Sequence, residues 1–173
     1  MSHPPATLPN RKRPRSSVAR GRHPSSTPGG TSSAAYRKDY PLSYVRDEAV
    51  LNSLRTPKSA GWKVGIVTNG PASQETKIRV TGLVDLIDGY CISEVHGAPK
   101  PALSIFQAAA ELAGCPLKGW MVGDSPESDI AGGRSAGLDT IWLARVRQWP
   151  HAEFAPDYIC DSIHQAVELI RQR

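Results

Sequence analysis

The stretch Trp120 to Gly137 hands a short apolar run straight to a helix, and that handover restricts the chain to few architectures. Trp120-Met121-Val122 reads as a strand that stops at Gly123-Asp124. Ser125 suits an N-cap, Pro126 the first helical position, and Gly137 the left-handed residue that ends the helix. Asp124 therefore falls at the carboxyl end of a strand, and Asp129 about a turn into the helix. The same alternation recurs. Strands are expected at Trp62–Thr68, Tyr90–Ser93, Asp139–Leu143 and, as an edge, Tyr158–Cys160. Helices are expected at Asp47–Leu54, interrupted by Pro57, and at Ala72–Val80, closed by Gly82. Another follows Lys100-Pro101 and runs to Leu112, with Ile105, Phe106 and Ala109 inward. A last one covers Ser162–Arg171, with Ile163, Ala166, Val167 and Ile170 inward. Strands alternating with helices predict an α/β fold, a parallel sheet with helices on both faces.

Charge divides the chain. Of the +5 total, residues 1–38 hold eight Lys and Arg and no Asp or Glu, which leaves residues 39–173 at −3. The domain is thus not a basic surface for nucleic acid. Residues 1–35 are rich in Pro, Ser, Arg and Gly, cannot bury enough apolar surface to offset conformational entropy, and are expected to form a disordered basic tail. Arg11-Lys12-Arg13-Pro14-Arg15 matches a nuclear localisation patch, a pattern that short basic runs also meet by chance. The remainder, residues 36–173, is read as one domain. Cys91, Cys115 and Cys160 form no CxxC and are odd in number, which fits reduced thiols in a cytoplasmic protein. No apolar run reaches the ~18–20 residues of a membrane span.

Three strand ends carry polar groups. Thr68-Asn69-Gly70 offers a hydroxyl, an amide and backbone N–H groups beside a helix start, which suits a phosphate. An Asn-Gly turn is also favoured on conformational grounds alone. Lys100 stands at a helix start, against the dipole, where a cation serves to hold a phosphoryl group. Asp124 and Asp129 repel each other unless a cation lies between them, and Mg2+ is the natural ion for two carboxylates. Either could instead be a cap or a solvated helix residue.

Thr68, Lys100 and the pair Asp124 and Asp129, in that order, resemble the haloacid dehalogenase-like (HAD) superfamily. Ile66-Val67-Thr68-Asn69-Gly70 is similar to its second motif, Lys100-Pro101 to its third, and Gly123-Asp124 through Asp129 to its fourth. The resemblance covers about residues 40–173. It implies a Mg2+-dependent phosphohydrolase acting on a phosphorylated small molecule through an aspartyl-phosphate. Thr68 and Lys100 would be catalytic, Thr68, Asn69, Gly70 and Lys100 phosphate-binding, and Asp124 and Asp129 metal-binding. The family's first motif is Asp-x-Asp, ending a central strand that lies between those ending here at Thr68 and Asp124. Only Asp39 and Asp47 precede Thr68, and neither ends an apolar strand. Nucleophile and central strand are therefore expected to be missing, and most of the family's cap too, with the Asp47–Leu54 helix as its one remnant. The gap is expected to leave two rows of unpaired backbone groups, unless its flanking strands close up or Leu42–Val45 fills it. The rival reading is a non-catalytic domain that binds phosphate and Mg2+ or a partner, or a truncated gene product. Dinucleotide binding needs G-x-G-x-x-G, which Gly132-Gly133 to Gly137 does not supply.

Overall fold

The computed structural model describes residues 44–173. The expected tail, and Leu42 and Ser43 of the Leu42–Val45 stretch, lie outside the described residues.

Asp47 caps the first helix, α1 (Glu48–Ser59), by accepting the N–H groups of Ala49 and Val50. Pro57 does not interrupt it. The proline sits buried in the last turn, where few C=O groups remain to lose a partner, and its own C=O accepts from Ala60 and Trp62. Strand β1 (Gly65–Thr68) is shorter than the expected Trp62–Thr68, because Val64 already leaves the ladder to bond both the N–H and the carboxylate of Asp88. Helix α2 (Gln74–Val80) ends before Gly82, whose φ of +78° turns the backbone toward β2 (Gly89–Ile92). A single turn, α3 (Ser93–His96), precedes α4 (Leu103–Leu112), which buries Ile105, Phe106 and Ala109 as its spacing predicts. Strand β3 (Trp120–Gly123) passes through a wide π-helical turn (Pro126–Ala131) into α5 (Gly132–Ser135). Strands β4 (Asp139–Leu143) and β5 (Tyr158–Cys160) and helix α6 (Ile163–Arg171) complete the order.

The sheet is in two pieces. β1 pairs parallel with β2, and β3, β4 and β5 pair parallel in that order. Among the described residues no strand lies between β1 and β3, and the two do not pair. Helix α4 covers β1 and β2, α5 covers β4, and α6 covers β3 and β5 with α1 packed against it. Helix α1 is therefore a flanking helix of the fold, not a cap remnant above the strand ends. Its Val50, Leu54 and Pro57 face the gap from the side. Gly132 and Gly133 are packing glycines, since a Cβ on Gly133 would stand 2.7 Å from that of Met121 and one on Gly132 3.0 Å from Phe106 and Pro101.

Burial marks the division. β4 is buried over Thr140–Leu143, whereas no residue of β1 or β3 is fully buried. Among the described residues the slot between β1 and β3 is a cavity of about 450 Å³ beside strands that are only half-buried.

Candidate functional site

Lys100 and Asp129 hold the two half-sheets together. The Lys100 ammonium donates to the Val67 carbonyl on β1 at 2.8 Å and to Asp129 Oδ1 at 2.6 Å. Their side chains are only 9% and 6% exposed. The other oxygen of Asp129 accepts the N–H groups of Asp124 and Ser125, both at 3.0 Å. Asp129 thus closes the turn after β3 with one oxygen and neutralises Lys100 with the other. The cation facing this carboxylate is a lysine of the same protein. Gly123 is required here, because a Cβ at that position would overlap the Asp129 carboxylate.

The turn after β1 is largely self-satisfied. Asn69 clamps the backbone of Lys100, accepting its N–H at 2.7 Å and donating to its C=O at 3.0 Å. The Gly70 N–H goes to Ser93 Oγ at 2.9 Å, and the Glu94 carboxylate accepts from Ala72 N–H. Asn69 and Gly70 therefore position Lys100 and the turn, with their strongest donors already used. The half-buried Thr68 hydroxyl has no hydrogen-bond partner among the described residues.

Asp124 differs from Asp129. Its side chain is 52% exposed, with the Arg147 guanidinium 3.9 Å away. Its backbone carbonyl accepts from Trp142 Nε1 at 3.2 Å and from Arg147 at 3.1 Å. Contacts link Lys100, Asp129 and the Asp124 backbone, and Thr68 follows Val67 at the end of β1, while the ion-pair partner of the Asp124 carboxylate among the described residues is Arg147. Among the described residues no group of three His, Cys, Asp or Glu side chains could hold a metal. As an Mg2+ site, the donor set is one free carboxylate plus a second already bonded. Mg2+ characteristically keeps several waters and takes one or two carboxylates together with substrate phosphate. Asp124 fits that role as an incomplete site.

Sequence reasoning missed Arg147. Arg145 and Val146 adopt left-handed φ values of +46° and +63°, which turn the backbone after β4 back over the site. Arg147 then caps the C=O groups of Leu143 and Ala144 and lies 5.3 Å from the Trp142 ring. The signal available was position alone, an Arg following a strand that ends on the active edge. It also missed His151, whose Nε2 lies 2.8 Å from Glu127 Oε1 and whose ring stacks on Phe154 at 4.6 Å. The three cysteines are free, and burial pushes the thiols of Cys91 and Cys160 up.

A parallel α/β sheet with polar side chains gathered at the carboxyl ends of its strands defines the open-sheet ligand-binding class. Within that class, residues 28–137 match the family model of the haloacid dehalogenase-like hydrolases, and the chain belongs to this family. It is 42% identical over 126 residues to the pyrimidine 5'-nucleotidase YjjG of Escherichia coli, covering 70% of this chain and 54% of that protein. It is 31% identical over 138 residues to the glyceraldehyde 3-phosphate phosphatase of Pyrococcus furiosus, covering 76% and 57%. The phosphoserine phosphatase of Thermus thermophilus is 34% identical over 123 residues, covering 70% and 48%. The chain thus spans about half the length of these relatives. Its fold superposes on the HAD-hydrolase YfnB of Bacillus subtilis, crystallised with magnesium, at a TM-score of 0.70 and 25% identity, over 79% of this chain and 61% of that one. No helix among the described residues is long and apolar enough to cross a membrane.

Proposed function

We propose that this protein holds the phosphate-binding half of a HAD-type phosphohydrolase site and that, alone, it binds phosphorylated small molecules without substantial turnover. The observation that carries this is the buried Lys100 ammonium, fixed at the edge where the Thr68 hydroxyl, without a partner among the described residues, and the exposed Asp124 carboxylate also stand. Thr68 would donate to a phosphoryl oxygen. Lys100 would offset phosphoryl charge from a position that Val67, Asn69 and Asp129 hold rigid. Asp124 would hold Mg2+ weakly, and the ion when bound would neutralise charge on the phosphoryl oxygens. Asp129 would act by positioning Lys100 and the turn that carries Asp124.

Turnover should be poor because no Asp-x-Asp precedes Thr68. On this reading the general acid/base, worth about 10²–10⁴-fold alone, and the nucleophile would both be lacking. The resemblances to nucleotidases and phosphatases support a phosphate-ester ligand, with the rival reading of a purely non-catalytic domain differing only in whether any hydrolysis remains. Isothermal titration with inorganic phosphate, with and without Mg2+, should give binding that Thr68→Ala weakens, together with a Mg2+ response that Asp124→Asn removes. Robust hydrolysis of p-nitrophenyl phosphate, abolished in Lys100→Ala, would overturn the inactive reading and make Asp39 the first candidate nucleophile to test. Phosphate binding indifferent to Thr68→Ala would overturn the site.

A further inference from the structure

Each carboxylate of the site already faces a cation of the protein itself, but the two pairs differ in kind. Asp129 and Lys100 are buried and hydrogen-bonded at 2.6 Å. Asp124 and Arg147 are about half exposed and 3.9 Å apart, too long for a hydrogen bond, so charge alone acts between them. An exposed pair of this sort adds little to stability. What it changes is the charge that a further cation meets at Asp124. Arg147 is held there independently of the Asp124 carboxylate. The left-handed φ values of Arg145 and Val146 fold the chain back after β4, and the Val146 N–H reaches Asp161 Oδ1 at 3.3 Å. The Arg147 N–H closes this turn on the Ala144 C=O at 3.0 Å. Its Nε then donates to the same C=O at 2.9 Å, and Nη2 donates to the C=O groups of Leu143 at 2.9 Å and Asp124 at 3.1 Å. Three backbone carbonyls thus fix the guanidinium beside Asp124, so it does not swing aside when a cation approaches. The Asp124 turn has other supports, with Trp142 Nε1 on its C=O and Asp129 on its N–H, and keeps them if the arginine is changed.

We infer that Arg147 sets how tightly this edge takes Mg2+: its fixed guanidinium is a built-in counter-cation of Asp124, and it weakens the hold of that carboxylate on the ion. The inference rests on the reading of Asp124 as a Mg2+ ligand. Arg147 acts through Asp124 and is not itself a ligand, because a guanidinium has no lone pair to give a metal. Two effects of the arginine oppose each other. Its bond to the Asp124 C=O helps hold the turn, which favours Mg2+, while its charge repels the ion. The charge outweighs the bond, because Trp142 and Asp129 hold the turn without the arginine and a divalent ion feels twice the repulsion of a monovalent one.

Titration of Mg2+ into the full-length protein at low salt tests it, with Asp124→Asn as the blank. Affinity is read by calorimetry and by the NMR signal of the Trp142 indole N–H, which bonds the Asp124 C=O and so reports on that turn. Arg147→Met and Arg147→Gln should bind Mg2+ about tenfold more tightly than the parent, while Arg147→Lys, which keeps the charge and loses the fork, should stay within about threefold of it. In about 1 M KCl, where charges are screened beyond ~3 Å, the advantage of the two neutral variants should disappear. Arg147→Gln keeps an N–H donor for the carbonyls and carries the test if Arg147→Met does not fold. Equal affinity in the parent and the neutral variants, still abolished by Asp124→Asn, would overturn the inference and leave the reading of Asp124 intact. Weaker binding in Arg147→Gln and Arg147→Lys alike would overturn it too, since the arginine would then serve only to shape the turn. A Mg2+ response that Asp124→Asn does not remove would overturn both.

Discussion

Replacing Asp129 by alanine should be among the most damaging single changes at this site. The carboxylate does two jobs, accepting two backbone N–H groups at 3.0 Å and pairing with Lys100 at 2.6 Å. Both partners of the pair are under a tenth exposed, so solvent screens it little. Removing one partner of a buried pair typically costs about 3–5 kcal/mol, because the other charge is left uncompensated. That is a large part of the ~5–15 kcal/mol net stability of a typical domain. Lys100→Met should cost less, about 1–3 kcal/mol, since Asp129 keeps both N–H donors after the lysine is gone. After Asp129→Ala, by contrast, the ammonium retains only the Val67 C=O. Asp124→Asn alters a half-exposed side chain and should change stability by no more than ~0.5 kcal/mol. Urea unfolding followed by tryptophan emission, in EDTA so that no cation contributes, ranks the three variants. A cost below ~1 kcal/mol for Asp129→Ala, or Lys100→Met costing as much as Asp129→Ala, would refute the reasoning.

Three further outcomes are expected. Gly123→Ala should destabilise and release Lys100, because the new methyl overlaps the Asp129 carboxylate, and phosphate affinity should fall with it in the same titration. Gly133→Ala should cost about 1–3 kcal/mol by overpacking against Met121, seen as a lower urea midpoint with no loss of phosphate binding. Asp157 accepts both the hydroxyl and the N–H of the buried Thr140, and the hydroxyl bond is the main reason its carboxyl lies below the usual range. A carboxyl held low in the folded state stabilises fully above the unfolded value of about 3.9, and that contribution is lost as pH falls through the folded value. Asp157→Asn should therefore lower stability at pH 7 and flatten its fall toward pH 3, as urea midpoints at the two pH values will show.

Most of the element order was legible in the sequence because it is local. Helix α4 was readable from Ile105, Phe106 and Ala109 at helical spacing, and all three are buried. The turn after β3 was readable because Ser125 caps it through the Ser128 N–H and Pro126 opens it. The chemistry at the strand ends was legible in kind, as one hydroxyl, one ammonium and two carboxylates placed on one edge. Their division of labour was not. Nothing local distinguishes Asp124 from Asp129, yet one is half exposed and the other is buried against Lys100.

The sequence by itself determined that the protein is α/β, that its polar residues fall at strand ends, and that it is similar to the HAD family, because capping, turn chemistry and side-chain period act over a few residues. Only the tertiary structure decided the rest. It showed that Asn69 and Gly70 are spent on Lys100 and Ser93, and that Pro57 is carried inside a helix packed on α6. It also showed that β1 and β3 do not pair and that both line one cavity. Each outcome depends on which groups distant in sequence compete for the same donor, acceptor or volume, and that competition exists only once the protein is folded.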